Sequence, residues 1–256
     1  MLKDGEGAAQ QINPEDFNKR YIMCGIIGAI SQGNVAPLLM EGLRRLEYRG
    51  YDSAGIATLL DGQVQRRRCE GKLAELGSLL KSDPIEGSIG IGHTRWATHG
   101  PASTTNAHPH STDLVALVHN GIIENFLELR EELEGQDYCF ESETDTEVLV
   151  QLISDIYFSD GLLFEQAVQV ALNQVVGAYG IVTFCSEEPD KLVAARHGSP
   201  LVLGIGEDDY FIASDASPII DYTRNVVYLD ENEILTINNG SHEIRTISED
   251  KVVQKV

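Results

Sequence analysis

The chain has 256 residues, 42% of them hydrophobic, and a formal net charge of −21, which supplies enough apolar material for one large core. Such an excess of acid argues against nucleic acid or an anionic membrane as a partner, while leaving room for an anionic ligand held by local arginines. Four cysteines, at 24, 69, 139 and 185, form no CxxC pair, and a chain this long does not depend on disulfide staples, so a reducing, cytoplasmic setting is expected.

Residues 1–23 read as a polar leader, with disorder expected up to about Asp16, because Gly5-Glu6-Gly7 and Gln10-Gln11 offer little to bury. No apolar run of about 20 residues follows, so no membrane span is expected. Cys24–Ile30 predicts a short apolar strand. Asn34 then looks like an N-cap for a helix carrying Val35, Leu38, Leu39, Leu43 and Leu46, which Gly50 stops. Ala54–Leu60 and Gln63–Cys69 predict a hairpin around Asp61-Gly62. The Arg66-Arg67-Arg68 tract within it reads as a solvated strand face. Ser88–Thr94 and Leu114–His119 are further strands, Ile122–Leu133 an amphipathic helix, and helices follow near Thr144–Phe158 and Leu162–Val175. Seven short strands complete the chain, at Ala178–Cys185, Lys191–Arg196, Leu201–Gly204, Tyr210–Ala213, Val226–Tyr228, Ile234–Ile237 and Glu243–Ile247. Strands outnumber helices and the helices come in separated groups, unlike the regular alternation of a doubly wound parallel sheet. Mostly antiparallel sheets with helices on their outer faces are expected.

Cys24 carries the most chemistry. If everything before it is removed, one residue holds both a thiol and a free α-amine, and an amine titrating near 7.7–8.0, roughly, can accept the thiol proton. Arg95 ends an apolar strand, where a guanidinium can aim two N–H groups at a carboxylate. Asn120-Gly121 ends another, where a side-chain amide and a backbone N–H can form an oxyanion hole. Asp145 opens a helix, whose dipole favours its charge, and can pair with an ammonium. A carboxylate binder, an ammonium binder, a thiol and an oxyanion hole together describe a site for an amino acid with a distal acyl group, and glutamine is the natural substrate. Taken singly, each has a plainer reading: a buried small hydrophobe, a surface ion pair, a turn and a helix cap. The histidines at 93, 99, 108, 110 and 119 lack an HExxH spacing and any cysteine pairing, so no metal is expected.

Two long stretches, Glu47-Tyr48-Arg49-Gly50-Tyr51-Asp52-Ser53-Ala54-Gly55 and His93-Thr94-Arg95-Trp96-Ala97-Thr98-His99-Gly100, resemble the glutaminase half of the glucosamine-6-phosphate synthases. These are class II glutamine amidotransferases with the N-terminal-nucleophile hydrolase fold. The resemblance runs from Cys24 nearly to the end and implies an α+β four-layer αββα sandwich, two stacked antiparallel sheets between helices, over 24–256. It implies Cys24 as nucleophile, Asn120 and Gly121 as oxyanion hole, and Arg95, helped by Thr98 and His99, as anchor of the glutamine α-carboxylate. Asp145 matches the partner of the α-ammonium, and Arg49 and Trp96 match residues that shape the pocket. No cofactor is implied.

Two departures from the pattern stand out. The family's mature chain begins at the cysteine, whereas 23 residues precede Cys24 here, as a propeptide, a misassigned start or vector-derived sequence. If they are retained, the expected alternative is a catalytically silent glutamine-sensing module. The family also continues into a sugar-phosphate isomerase half, the ammonia acceptor and the expected route to a homodimer, which this sequence does not contain.

Overall fold

The computed structural model describes residues 24–248, 251–253 and 255; the predicted leader at 1–23 lies outside them. Strand β1 (Gly25–Ile30) is apolar along its whole length rather than alternating. The fold explains why. Ile26 points into a core shared with a second sheet, and Ile27 points into a core under a helix; both are fully buried. A strand covered on both faces has no polar side to present.

β1 lies within a seven-stranded antiparallel sheet. Its other members are β2 (Ser53–Leu60), β3 (Gln63–Glu70), β4 (Ile89–Arg95), β9 (Val202–Ile205), β10 (Tyr210–Ala213) and β11 (Val226–Tyr228). They run in the order β11-β9-β10-β1-β4-β2-β3. The β2–β3 hairpin turns on Asp61 and Gly62, both at positive φ (51° and 75°), as the predicted two-residue turn demands. The second sheet has six strands, β5 (His110–Ser111), β6 (Val115–Ile123), β7 (Gly177–Cys185), β8 (Lys191–His197), β12 (Glu233–Asn238) and β13 (Ser241–Thr246), in the order β13-β12-β8-β7-β6-β5.

Helices α1 (Ala36–Arg45) and α2 (Leu73–Ser82) cover the outer face of the first sheet. Helices α3 (Phe126–Glu134), α4 (Asp145–Asp160) and α5 (Phe164–Leu172) cover that of the second. Between the sheets, Ile26 and Ile91 meet Val118, Val182 and Phe184, all fully buried. The result is the expected four-layer αββα sandwich.

Three local expectations are corrected. The helix predicted over Ile122–Leu133 starts at Phe126, because β6 runs on through Gly121 and pairs Ile123 with Gly177 of β7. Helix α2 has no counterpart among the predicted elements, although Leu73 and Leu76 anchor it to the core. The arginine tract is not one solvated face. Period-two alternation turns Arg67 outward to pair with Asp83 at 2.6 Å, and turns Arg66 and Arg68 over a cavity of about 460 Å3 shared with Glu141 and Glu147.

Candidate functional site

At one end of the sandwich, β1 begins, β4 ends, β6 passes and α4 starts. Antiparallel pairing sets Gly25 opposite Thr94, so Cys24 lies beside Arg95 and the loop that follows it. The Trp96 N–H donates to Cys24 Sγ at 3.2 Å, and the thiol faces the Trp96 carbonyl at 3.7 Å. Asp52 pins this loop: its Oδ2 accepts from the Ala97 N–H at 2.6 Å. Burial pushes the Cys24 thiol up, against the Trp96 N–H and the Arg95 charge, which favour the thiolate. The sulfur therefore needs a proton acceptor to become a nucleophile near neutrality.

Asn120 reaches across from the second sheet. Its Nδ2 donates to the Cys24 carbonyl at 3.0 Å, and its Oδ1 faces His93 Nε2 at 2.9 Å. Gly121 has φ of +131°, and a Cβ there would sit 2.0 Å from the Ala178 carbonyl oxygen. Only glycine admits this strand path. Asn120 and Gly121 thus lie inside β6, not at its end as the sequence suggested.

Thr144 caps α4, its hydroxyl accepting from the Glu147 N–H at 3.2 Å. That leaves Asp145, first residue of the helix, free of capping duty. Its Oδ2 accepts from the Ile123 N–H at 2.9 Å, which ties the helix start to the end of β6. Arg95 is 3% exposed, and burial lowers its pKa. It donates to the carbonyls of His99, Gly100 and Pro101.

Cys24, Arg95, Trp96, Thr98, Asn120, Gly121 and Asp145 all line one cavity of about 400 Å3, together with His119, Thr144 and Thr146. That volume lies in the range of about 300–1,000 Å3 typical of small-ligand sites. Its walls carry one buried cation and one buried anion. Two further expected residues stand behind it. His99 lays its ring on Phe126, centroids 4.8 Å apart, and contributes its carbonyl to Arg95. Arg49 backs Cys24, with Nη1 3.5 Å from the Cys24 carbonyl and Nη2 paired to Asp215 at 2.9 Å. Asp52, His93 and Asp215 were not singled out from the sequence. Asp52 and His93 sit within the quoted motifs, while nothing local marks Asp215, which long-range folding brings beside Arg49.

Three histidines cluster at the wall, His108 lining the cavity and His93 and His110 beside it. His93 and His108 ring centroids are 4.3 Å apart, and His108 and His110 are 5.1 Å apart. Burial holds all three well below the ordinary histidine range. Among the described residues no group of three or more His, Cys, Asp or Glu could hold a metal ion. No helix there is long and apolar enough to cross a membrane.

The sequence profile of the glutamine amidotransferase domain matches residues 93–221, half of the chain. The chain belongs to the glutamine amidotransferase domain family. The matched span of this amidotransferase domain holds Arg95, Asn120, Gly121 and Asp145, while Cys24 lies before it. The chain is 52% identical over 221 residues to the glutamine--fructose-6-phosphate aminotransferase [isomerizing] of Bacteroides thetaiotaomicron, covering 85% of this chain and 36% of that protein. It is also 52% identical over 232 residues to the protein of that name from Chlorobaculum tepidum, covering 88% of this chain and 38% of the relative. The chain thus spans little more than a third of the length of these curated relatives. The amidotransferase fold superposes on a glutamine phosphoribosylpyrophosphate amidotransferase from B. subtilis with TM-score 0.74 at 26% identity, over 89% of this chain and 50% of that one. The N-terminal-nucleophile type of architecture follows from that match and from the two stacked sheets described above.

Proposed function

We propose that the domain hydrolyses L-glutamine at its side-chain amide, giving glutamate and ammonia. One observation carries the reading: a sulfur, an amide donor, a buried guanidinium and a buried carboxylate converge on one cavity. Asp145 receives the substrate ammonium and Arg95 its carboxylate, with Thr98 beside them and Trp96 forming the outer wall. This clamp presents the distal amide carbonyl to Cys24. The cysteine α-amine, free once residues 1–23 are removed, takes the thiol proton, and the sulfur attacks the carbonyl carbon. The oxyanion forms against the Asn120 Nδ2 and the Gly121 N–H. Collapse, with the protonated α-amine passing its proton to the leaving nitrogen, expels ammonia and leaves a thioester, which water cleaves to glutamate. His99 and Arg49 act from behind, His99 holding Arg95 and Arg49 holding the Cys24 carbonyl.

In the longer protein that the relatives' name describes, the ammonia passes to fructose-6-phosphate on an isomerase half and yields glucosamine-6-phosphate. Glutamate release, measured on the chain beginning at Cys24 and on its Cys24→Ala variant, tests the reading. Wild-type turnover with a silent variant supports it; a variant that still releases glutamate refutes it. Intact mass of the cellular protein separates the enzyme from a glutamine sensor, since retained residues 1–23 would convert the base into an amide nitrogen.

A further inference from the structure

The orientation of the Asn120 amide decides whether hydrogen-bond donors or an acceptor face Cys24, and the structure shows what sets it. Asn120 stands in β6 of one sheet and His93 in β4 of the other, two residues before Arg95. His93 is fully buried. The Cys24 carbonyl, 3.0 Å from the near end of the amide, can only accept, so the NH2 must face it. The amide oxygen then faces His93 Nε2 at 2.9 Å. A neutral imidazole has one N–H; on Nδ1 it would place two acceptors face to face across this contact. Nδ1 is itself buried with no partner, and a bare nitrogen is the form that leaves no unpaired donor there. Burial, with the His119 and Arg95 charges adding to it, pushes the His93 pKa down to about 3, against hydrogen bonding to Asn120 and to the His119 backbone. The ring is therefore neutral and its proton is on Nε2.

We infer that His93 is a positioning residue: its Nε2–H holds the Asn120 oxygen away from the nucleophile and so keeps the amide NH2 turned toward the reacting carbonyl. Among the described residues no other hydrogen bond reaches Asn120 Oδ1. Without His93, nothing but the single bond to the Cys24 carbonyl opposes rotation of the amide, which would put an acceptor where the oxyanion forms. This rests on the glutaminase reading above for its catalytic consequence, but not for its geometry.

The test has two parts. In the full chain, the ring nitrogen NMR shifts of His93 should report an Nε2–H, uncharged ring throughout pH 5–8; an Nδ1–H or a cationic ring overturns the proposal. For turnover, His93→Leu should lower kcat by at least 10-fold, toward the roughly 10²–10³ that losing one oxyanion donor costs. KM should stay within about 3-fold, because the clamp for the amino-acid end is untouched. His93→Gln, whose amide N–H reaches the place of Nε2, should restore most of kcat. Alkylation of Cys24 by iodoacetamide develops no oxyanion and should be unchanged in both. Equal loss of kcat, thermal stability and alkylation in the two variants would mean a merely structural residue and would overturn the inference, as would a fully active His93→Leu. If the wild type releases no glutamate, the glutaminase reading fails and the tautomer alone decides the role of His93.

Discussion

Replacing Asp145 with Asn removes one charge from the cavity and puts an NH2 group where Oδ1 accepts from the Thr146 hydroxyl at 3.4 Å. The amide oxygen can still accept from the Ile123 N–H, now at 2.9 Å from the carboxylate, so the join between α4 and β6 survives. The lost helix-dipole interaction costs about 0.3–1 kcal/mol of stability, or a fall in Tm of roughly 1–4 °C for a domain of this size. The loss of ligand binding is larger. Asp145 is 4% exposed, so an ammonium paired there is sheltered from water. A hydrogen bond between charged groups is worth about 1.5–3 kcal/mol, which at about 1.4 kcal/mol per decade is a weakening of roughly 10- to 150-fold. Calorimetric titration in a Cys24→Ala background reads binding without turnover. The control is 4-carbamoylbutanoate, which is glutamine without its α-amine. It should bind no more weakly when the background also carries Asp145→Asn, because it has no ammonium to lose and its carboxylate then faces no buried anion. Glutamine affinity unchanged by the substitution, or an equal loss for both ligands, would refute the assignment of Asp145 to the ammonium.

The buried histidines make a second prediction. His93, His108 and His110 have folded pKa values below the ordinary 6.5 or so. The unfolded chain therefore binds more protons than the folded one as pH falls below that value. Stability is fully present above about pH 6.5 and is lost toward the depressed folded values, at up to roughly 1.4 kcal/mol per pH unit for each ring and about 4 for the three. Urea unfolding at pH 7, 6 and 5 checks this, and a constant midpoint would contradict it. Gly121→Ala should cost about 2–6 kcal/mol, combining strain at positive φ with overpacking against the Ala178 carbonyl. It should also abolish glutamate release by displacing a backbone donor; a urea midpoint equal to the wild type's would show that β6 accommodates the methyl.

The sequence carried the outline of the fold where local chemistry dictates structure. The Asp61-Gly62 turn and the unbroken apolar run of β1 each have a single reading, and the structure agrees with both. It misplaced the start of α3 because Ile122 and Ile123 suit a helix as well as a strand; pairing with β7 decides the matter. It passed over α2, where Gly77 interrupts a leucine spacing that tertiary burial rescues. For the site, residue types inside motifs pointed to the cavity, but side-chain direction did not follow from them. His99 and Trp96 stand three residues apart in one stretch, yet only Trp96 lines the cavity, since the His99 ring packs on Phe126. Asp215 contacts Arg49 across 166 positions, a distance that no local pattern encodes.

Cys24, at the mouth of β1, and Arg95 stand on one sheet and Asn120 on the other, joined across the gap by the His93 and Cys24 bonds. The reacting atoms therefore gauge how the two halves of the sandwich are aligned. A sub-ångström slide of one slab over the other would leave every strand intact and the molecule folded, yet separate sulfur from amide. Trimming Phe184 or Val182 in the layer between them should accordingly cost turnover as well as the stability that a fully buried side chain supplies.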